Sequence, residues 1–154
     1  MTERPLRIGR ASAGLGLFAT KEFRKGEFIV AYRGQRVTDA ESERREARGA
    51  RYMFEINSRW AIDGSSRRNL ARYVNHSCRP NAEAVARKIH PICYVARRRI
   101  KLGEEITVDY GKDYFDAYIR GKGCRCEKCR EKRRLQRRKL RLRLKLQARR
   151  KKPG

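Results

Sequence analysis

Short apolar stretches separated by turn residues recur along the chain as far as Tyr110. Their alternating or continuous apolar residues predict strands at Leu6 to Arg10, Phe28 to Tyr32, Tyr52 to Ile56, Trp60 to Ile62, Ala82 to Ile89, Ile92 to Arg98 and Ile106 to Tyr110. Turns between them are predicted at Gly14-Leu15-Gly16, Lys25-Gly26-Glu27 and Asp63-Gly64. The pattern predicts a mainly β fold of short strands with few helices.

One helix is predicted inside this series of strands. Thr38-Asp39-Ala40-Glu41 is a capping box, in which the Thr38 hydroxyl accepts from the Glu41 amide and the Glu41 side chain reaches back. We expect the helix to run to about Arg48 and to stop at Gly49. Because its residues are almost all charged, we expect a solvated insert that lies outside the core.

The length of the chain and its charge limit the number of domains it can form and the kind of partner it can bind. A chain of 154 residues forms one domain with at most an appendage. Its 42 basic and 17 acidic residues give a net charge of +25, which implies an acidic partner or surface: nucleic acid, anionic membrane or acidic protein. Because no apolar run approaches the roughly 18 residues of a membrane span and the first residues lack an apolar signal core, we expect an intracellular protein, cytoplasmic or nucleic-acid-associated.

The five cysteines favour a metal site over disulfides. Three of them form the cluster Cys124-Arg125-Cys126-Glu127-Lys128-Cys129, and an odd total is unlike a secreted disulfide framework. Cys-x-Cys-x-x-Cys supplies three thiolates, one fewer than a tetrahedral structural zinc site needs. Cys93 lies in a predicted strand, where a cysteine behaves as a small buried hydrophobe.

Three stretches with many polar and glycine residues carry the candidate chemistry: Ser12 to Ala19, Arg72 to Asn81 and Gly103 to Gly111. The middle one is too polar for a strand interior and lacks helical spacing, so it predicts a surface loop or a buried polar loop that holds a ligand. In this order, the three stretches resemble the SET-domain protein-lysine methyltransferases. The resemblance extends from about Ile8 to Cys129.

The resemblance implies a fold, a reaction and a set of site residues. The fold would be a SET fold, with small sheets and a knot-like weave of the middle stretch with the final strand. The reaction would be methyl transfer from S-adenosylmethionine to a lysine of a protein substrate, histone-like or nucleic-acid-associated by analogy. The implied catalytic residue is Tyr110, and Tyr32 and Tyr52 would line the lysine channel, although a core or edge position is the alternative for Tyr52. The implied cofactor-binding residues are Gly14, Leu15, Gly16, Leu17, Arg72, Asn75, His76 and Tyr110.

The proposed reaction matches the residue types that are present. Methyl transfer from a sulfonium to an amine is an in-line displacement, which needs alignment and exclusion of water. A nearby positive sulfonium and an apolar channel both favour the neutral lysine amine, so no strong base is required. The Tyr110 hydroxyl can supply a fixed acceptor. Two positions depart from what many relatives have. Gln35 stands where many members have Glu, and Val108 stands where many have Phe or Tyr. Val108 leaves mono-, di- and trimethylation open.

The resemblance also supplies a fourth zinc ligand, Cys78, which would join Cys124, Cys126 and Cys129 in a post-SET zinc site. Relatives often have four residues between the last two cysteines of the cluster, and this chain has two, so the loop is tighter. The predicted organisation is a SET domain over residues 4–115, a zinc segment over 116–130 and a basic tail over 131–154.

The basic tail has two conflicting patterns. From Arg130 onward there are 14 basic residues and one acidic residue. Alternate leucines from Leu140 to Leu146 suggest a strand, whereas the Leu, Arg, Lys and Gln content favours a helix. We expect a helix or a disordered arm that binds nucleic acid or an acidic surface, with an anionic membrane as the weaker option. The alternative function is a non-enzymatic, zinc-stabilised nucleic-acid-binding protein that retains a SET fold.

Overall fold

The computed structural model of the chain describes residues 5–88 and 90–150, with side chains as far as residue 148. Three parts of the predictions lie outside the described residues. They are the start of the predicted domain at residue 4, the end of the predicted strand at Ile89 and residues 151–154 of the predicted tail. Helices and strands are given below for the described residues alone.

Ten strands are present in the described part of the chain. They are β1 (Leu6–Ala11), β2 (Gly14–Ala19), β3 (Phe28–Ala31), β4 (Gln35–Thr38), β5 (Met53–Asn57), β6 (Trp60–Asp63), β7 (Asn75–His76), β8 (Ala82–Val85), β9 (Cys93–Ala96) and β10 (Thr107–Val108). Each predicted strand overlaps an observed one, and the mainly β fold is confirmed. The apolar pattern missed β2, β4 and β7.

The helical elements are few. They are α1 (Asp39–Ala47), a 3-10 turn (Leu70–Tyr73), α2 (Lys112–Tyr114), a π turn (Phe115–Ile119), a second 3-10 turn (Arg120–Lys122) and α3 (Glu127–Arg150). The tail is therefore helical as far as it is described. Among the described residues, no helix has an apolar stretch that could cross a lipid bilayer.

The strands form four small sheets. β1 and β2 make an antiparallel hairpin, β9 lies between β3 and β8, and β6 lies between β4 and β5. β7 and β10 pair in parallel. All four residues of β9 are buried, because this strand has a neighbour on each side. The largest fully buried apolar side chains are those of Phe23, Leu17, Ile100 and Ile106.

The first hairpin turns earlier than its glycines suggest. Ala11 pairs with Gly14, so Ser12 and Ala13 form the turn, and the predicted turn at Gly14-Leu15-Gly16 is wrong. Gly14 has a φ of +124°, a conformation that favours glycine at the exit from the turn. Gly16 lies inside β2, where a side chain would have no room, as described below for the site.

Helix α1 begins as the capping box predicts. The Thr38 hydroxyl accepts from the Glu41 amide at 3.3 Å, and Gly49 follows the helix with a φ of +95°. The Glu41 carboxylate does not reach back as predicted, because it accepts hydrogen bonds from Arg44 and Arg45 within the helix. Ser42 is the one buried residue of α1, which places this helix outside the core as expected.

The described chain divides into two compact units between Asp109 and Tyr110. The first unit contains all ten strands, and the second contains α2, the turns after it and α3. Within the second unit, Tyr114 packs its ring against Tyr110 at 4.9 Å and against Tyr118 at 4.7 Å, measured between centroids.

Glu104 carries a charged network in the first unit. Its carboxylate accepts hydrogen bonds from the Arg98 guanidinium, the Lys101 amide and the Asn81 side chain. Partial burial raises the pKa of Glu104, but these hydrogen bonds and the charge of Arg98 outweigh burial, so the pKa is lowered overall. The charged form is therefore favoured by folding. Its stabilising contribution is complete above the pKa of the unfolded chain and disappears as pH falls through the folded pKa.

We predict that Glu104→Gln lowers the free energy of unfolding at pH 7 and that this loss shrinks as pH falls below about 4. The physical reason is that the glutamine side chain can still accept a hydrogen bond but carries no charge for Arg98. Urea unfolding at several pH values measures the difference in the free energy of unfolding between the variant and the parent chain. Glu83→Gln, at an exposed position of β8, is the control. If the loss of unfolding free energy in Glu104→Gln stays constant down to pH 3, the prediction is contradicted.

Candidate active site

The second and third polar stretches meet through a two-residue parallel pairing. Asn75 is paired with Thr107, and His76 with Val108. The Ser77 amide extends the contact by donating to the Val108 carbonyl at 2.8 Å. A two-residue pairing is a weak sheet by itself, so other interactions must hold these segments in register.

The Asn81 side chain supplies those interactions. Its amide nitrogen donates to the Glu105 carbonyl at 2.7 Å and to the Glu104 carboxylate at 3.0 Å. Its amide oxygen accepts from the Thr107 backbone amide at 2.8 Å. Asn81 is 2% exposed, and without its side chain the Glu105 carbonyl and the Thr107 amide would lose these hydrogen bonds. The last residue of the middle stretch therefore clamps that stretch onto the segment before Tyr110.

The first polar stretch joins the other two at Asn75. The Asn75 side-chain nitrogen donates to the Leu15 carbonyl at 3.0 Å and to the Glu105 carboxylate at 2.8 Å. A Cβ at Gly16 would lie 2.6 Å from the Glu105 carboxylate and 2.8 Å from the Ala11 Cβ. Gly16 is therefore required by close packing. Three segments that are far apart in the sequence converge on one asparagine.

The Leu17 and His76 side chains point into the protein. Leu17 is fully buried, and its carbonyl accepts from the Ile106 amide at 2.7 Å. The His76 side chain is 6% exposed, with Nε2 lying 3.4 Å from the Cys78 sulfur and Nδ1 3.6 Å from the Asp109 carboxylate. Burial lowers the pKa of His76, and the Asp109 charge opposes this shift only in part. A neutral imidazole is therefore favoured at neutral pH.

Aromatic side chains form a compact cluster around Tyr32. The Tyr32 hydroxyl donates to the Tyr52 carbonyl at 2.8 Å, and its ring packs edge-on against Phe54 and Tyr94, with centroids 5.1 and 6.3 Å away. A Cβ on Gly64 would overlap the Tyr32 ring. Tyr32 is buried, whereas the Tyr52 side chain is partly exposed. The two predicted channel residues are thus adjacent to each other.

Arg72 stacks on aromatic rings. Its guanidinium carbon lies 4.1 Å from the Tyr52 ring centroid and 5.5 Å from that of Tyr73, and it donates to the Ser65 carbonyl. Its buried Nε atom has no hydrogen-bond partner among the described residues. The stacking links the predicted cofactor residue Arg72 to the predicted channel residue Tyr52. The Nε atom is a buried donor that a ligand could use.

Asn69 is a structural residue of the site that the sequence did not reveal. It is 2% exposed, its side-chain oxygen accepts from the Arg33 amide at 3.1 Å, and its nitrogen donates to the Gly64 carbonyl at 3.1 Å. Asn69 thereby links the segment that contains Gly64 to the backbone of Arg33, directly after Tyr32. It follows two arginines and matches no motif, so no sequence signal pointed to it. Asn81, in contrast, belonged to a stretch already singled out.

Four cysteines could hold a metal ion. The sulfur atoms of Cys78, Cys124, Cys126 and Cys129 all lie within 4.8 Å of one another. Cys124 and Cys126 are buried, and the Cys126 amide donates to the Cys124 sulfur at 3.5 Å. Cys93 is also fully buried, and burial raises the pKa of its thiol. This strand position agrees with its predicted role as a small hydrophobe.

Comparison with known proteins identifies the class of this fold. The family model for the SET domain matches residues 14–111, which include the convergence at Asn75, the clamp at Asn81 and Tyr110. The match covers more than half of the chain. The chain therefore belongs to the SET domain family.

The similar proteins are much longer than this chain. Histone-lysine N-methyltransferase trithorax of Drosophila virilis is 36% identical over 77% of the chain, which spans 3% of that protein. Histone-lysine N-methyltransferase 2D of Homo sapiens is 41% identical over 67% of the chain, which spans 2% of it. Histone-lysine N-methyltransferase mes-2 of Caenorhabditis elegans is 41% identical over 64% of the chain, which spans 14% of it.

A solved structure shares the fold. A chain of a humanized mutant of the Chaetomium thermophilum Polycomb Repressive Complex 2, bound to the inhibitor GSK343, is similar to this chain with a TM-score of 0.61 and 30% sequence identity. The similarity covers 69% of this chain and 15% of that chain.

We predict that Asn81→Ala lowers the free energy of unfolding by about 2–4 kcal/mol, because it leaves the Thr107 amide and the Glu105 carbonyl buried and unpaired. Chemical denaturation measures the change. Asn57→Ala is the matched control, since the Asn57 side chain accepts from the Arg59 and Trp60 amides in an exposed turn, and should cost less than about 1 kcal/mol. Equal losses in the two variants would argue against the clamp.

Proposed function

We propose that the chain transfers methyl groups from S-adenosylmethionine to the side-chain amine of a lysine in a protein substrate. The observation that supports this most strongly is the convergence of Leu15, Asn75 and Glu105, which brings together the three polar stretches. Membership of the SET domain family and the names of the similar proteins agree with this activity. Because the chain spans a small part of those proteins, the activity is a proposal for this chain.

The residues that are present fit S-adenosylmethionine. Arg72 offers a buried Nε–H that has no partner among the described residues, and Gly14 of strand β2 has open space where a side chain would stand. We assign Gly14, Leu15, Gly16, Leu17, Arg72, Asn75, His76 and Tyr110 to the cofactor. The cofactor, when bound, supplies the electrophilic methyl group. For Leu17 the contact would be through the backbone, since its side chain lies in the core.

The aromatic cluster suits a lysine side chain. Tyr32 and Tyr52, together with Phe54 beside Tyr32, offer rings that can pack on the methylene groups and shield the amine from water. An apolar wall lowers the pKa of the amine and so favours the neutral nucleophile. The Tyr32 hydroxyl is already committed to the Tyr52 carbonyl, which keeps its ring in place. We propose that the Tyr110 hydroxyl is the fixed hydrogen-bond acceptor near the reacting amine.

The proposed substrate is a lysine of a basic, nucleic-acid-associated protein of the histone type. The names of the similar proteins support this substrate class. The alternative function is a SET-fold protein that binds zinc and nucleic acid without turnover. One measurement distinguishes the two functions, because the alternative predicts that no methyl group is transferred at any substrate concentration.

We predict that Tyr110→Phe lowers the rate of methyl transfer roughly 100-fold, because the variant loses one fixed polar contact in the transition state. The measurement uses purified core histones, labelled S-adenosylmethionine and counting of label in lysine. Tyr118→Phe, a partly buried tyrosine of the π turn, is the control and should stay within about twofold of the parent. Cofactor binding without any transfer, in the parent chain, would favour the alternative function.

We also propose that the four clustered cysteines hold a structural zinc ion. Four thiolates are a complete tetrahedral set for zinc, and their sulfur atoms are mutually close. We expect the purified chain to carry about one zinc per molecule. Its removal should lower the melting temperature, because binding energy of a structural metal is part of folding energy.

Single cysteine variants test the zinc proposal by elemental analysis of the purified protein. Cys126→Ser should lose most of the zinc and a large part of the thermal stability, because three ligands leave the tetrahedron incomplete. Cys93→Ala removes the buried cysteine that lies outside the cluster and should keep the zinc. Unchanged zinc in Cys126→Ser would exclude this ligand set.

A further inference from the structure

Helix α3 is a long cationic rod. Its 24 residues extend about 36 Å at 1.5 Å per residue. No acidic residue follows Glu131 in the sequence, whereas basic residues continue to the end of the helix. The basic side chains from Arg134 to Lys145 are all exposed. The charge of α3 therefore has no acidic counterpart later in the same helix.

Seven of the nine basic residues from Lys132 to Lys145 lie in two rows, and the other two, Arg133 and Arg137, lie on the side of the helix that carries Leu140 and Leu144. A helical period of about 100° per residue places four of the seven within about 60° of arc, here called the first flank. Three others fall within about 40° of arc, here called the second flank, with its centre about 150° from that of the first. The first flank consists of Arg134, Arg138, Arg141 and Lys145, and the second of Lys132, Lys139 and Arg143.

Three exposed leucines lie between the two flanks. The apolar ridge consists of Leu135, Leu142 and Leu146, which share about 40° of arc on the shorter side between the flanks. Leu140 and Leu144 lie on the opposite side of the helix. On the side of the ridge, the helix therefore presents a narrow apolar line with a row of positive charges on each side of it.

This arrangement costs helix stability when no partner is bound. Arg134 and Arg138 are four residues apart, as are Arg141 and Lys145, and like charges at this spacing destabilise a helix by about 0.2–0.5 kcal/mol per pair. A polyanion that contacts both flanks would remove this repulsion and gain the release of its own counterions. The favourable partner therefore carries negative charge on two sides of the helix at once.

We propose that α3 inserts into the major groove of duplex DNA, with the first and second flanks against the phosphates of the two groove walls and the apolar ridge toward the base edges. An α-helix with side chains is about 10–12 Å across and the major groove about 12 Å wide. The groove has phosphates on both walls, which matches two cationic rows. The binding is a function separate from methyl transfer.

Two other polyanionic partners fit the arrangement less well. The major groove of duplex RNA is deep and narrow, so a helix with side chains does not enter it. An anionic membrane surface binds helices that have one wide apolar face, whereas the leucines of α3 are divided between opposite sides. The leucine ridge has a counterpart in the DNA groove, since apolar side chains contact thymine methyl groups there.

The test is fluorescence anisotropy of the full chain with a labelled DNA duplex of about 20 base pairs, roughly twice the length of α3 at 3.4 Å per base pair. The dissociation constant is measured at several salt concentrations. One variant replaces the first flank with glutamine, and another replaces the second flank. The charge-matched control replaces exposed residues of the first unit with glutamine: Lys25, Arg59, Arg87 and Lys88.

We expect the slope of log Kd against log salt to fall by about one per replaced flank residue, in both flank variants. The first-flank variant should also weaken binding at least about tenfold, whereas the control should change the slope by less than about one. Glutamine matches arginine and lysine in helix propensity, and far-UV circular dichroism checks the helix. A version of the first flank with Arg134, Arg138 and Arg141 all changed to lysine should keep the parent slope.

Several outcomes would overturn the proposal. A second-flank variant with the parent slope would exclude contacts on both groove walls. A control variant that loses as much as the flank variants would assign binding to net charge alone. Equal affinity for a duplex RNA of the same length would exclude the DNA groove as the site. Binding to anionic phospholipid vesicles with none to DNA would assign α3 to a membrane surface.

Discussion

The arrangement of the site depends on the hydrogen bonds of one buried side chain, that of Asn81. Its side-chain oxygen accepts from the Thr107 backbone amide, and its side-chain nitrogen donates to the Glu105 carbonyl. These are the hydrogen bonds that a neighbouring strand would otherwise provide. The two-residue pairing of β7 with β10 could not hold its register alone. Because an unpaired buried amide is costly, the clamp also excludes other registers. The position of Asn75 follows from that register.

Close backbone approach is the second constraint on the site. Gly16, Gly34 and Gly64 each lie where a Cβ would collide: with Glu105, with the Asp63 carbonyl and with the Tyr32 ring respectively. Small sheets leave many polar backbone groups to be satisfied by side chains, and the buried Asn69 does this near Gly64. Glycines and buried asparagines therefore replace the extended ladders that would position a site in a larger sheet.

The sequence predicted most strands and the start of α1, because both rest on local patterns. It misplaced the first turn, since glycine composition suggested Gly14 to Gly16, whereas pairing of β1 with β2 puts the turn at Ser12 and Ala13. It could not predict Asn69, whose partners Arg33 and Gly64 are set by tertiary packing. The resemblance selected Asn75 and Arg72, but their contacts with Leu15 and Tyr52 depend on segments that are distant in the chain.

Charged residues are arranged differently in the first unit and in helix α3. In the first unit, several arginines form ion pairs: Arg45 with Glu41 and Asp63, Arg98 with Glu104, and Arg99 with Glu22. Exposed pairs of this kind add little stability, but they neutralise charge that would otherwise repel. Helix α3 has no carboxylate after Glu131 that could do the same for its own basic residues. The first unit is also basic, with 23 basic and 13 acidic residues, but its carboxylates lie among its arginines. The part of α3 after Glu131 has no carboxylate of its own, so an external polyanion is the better explanation for its charge.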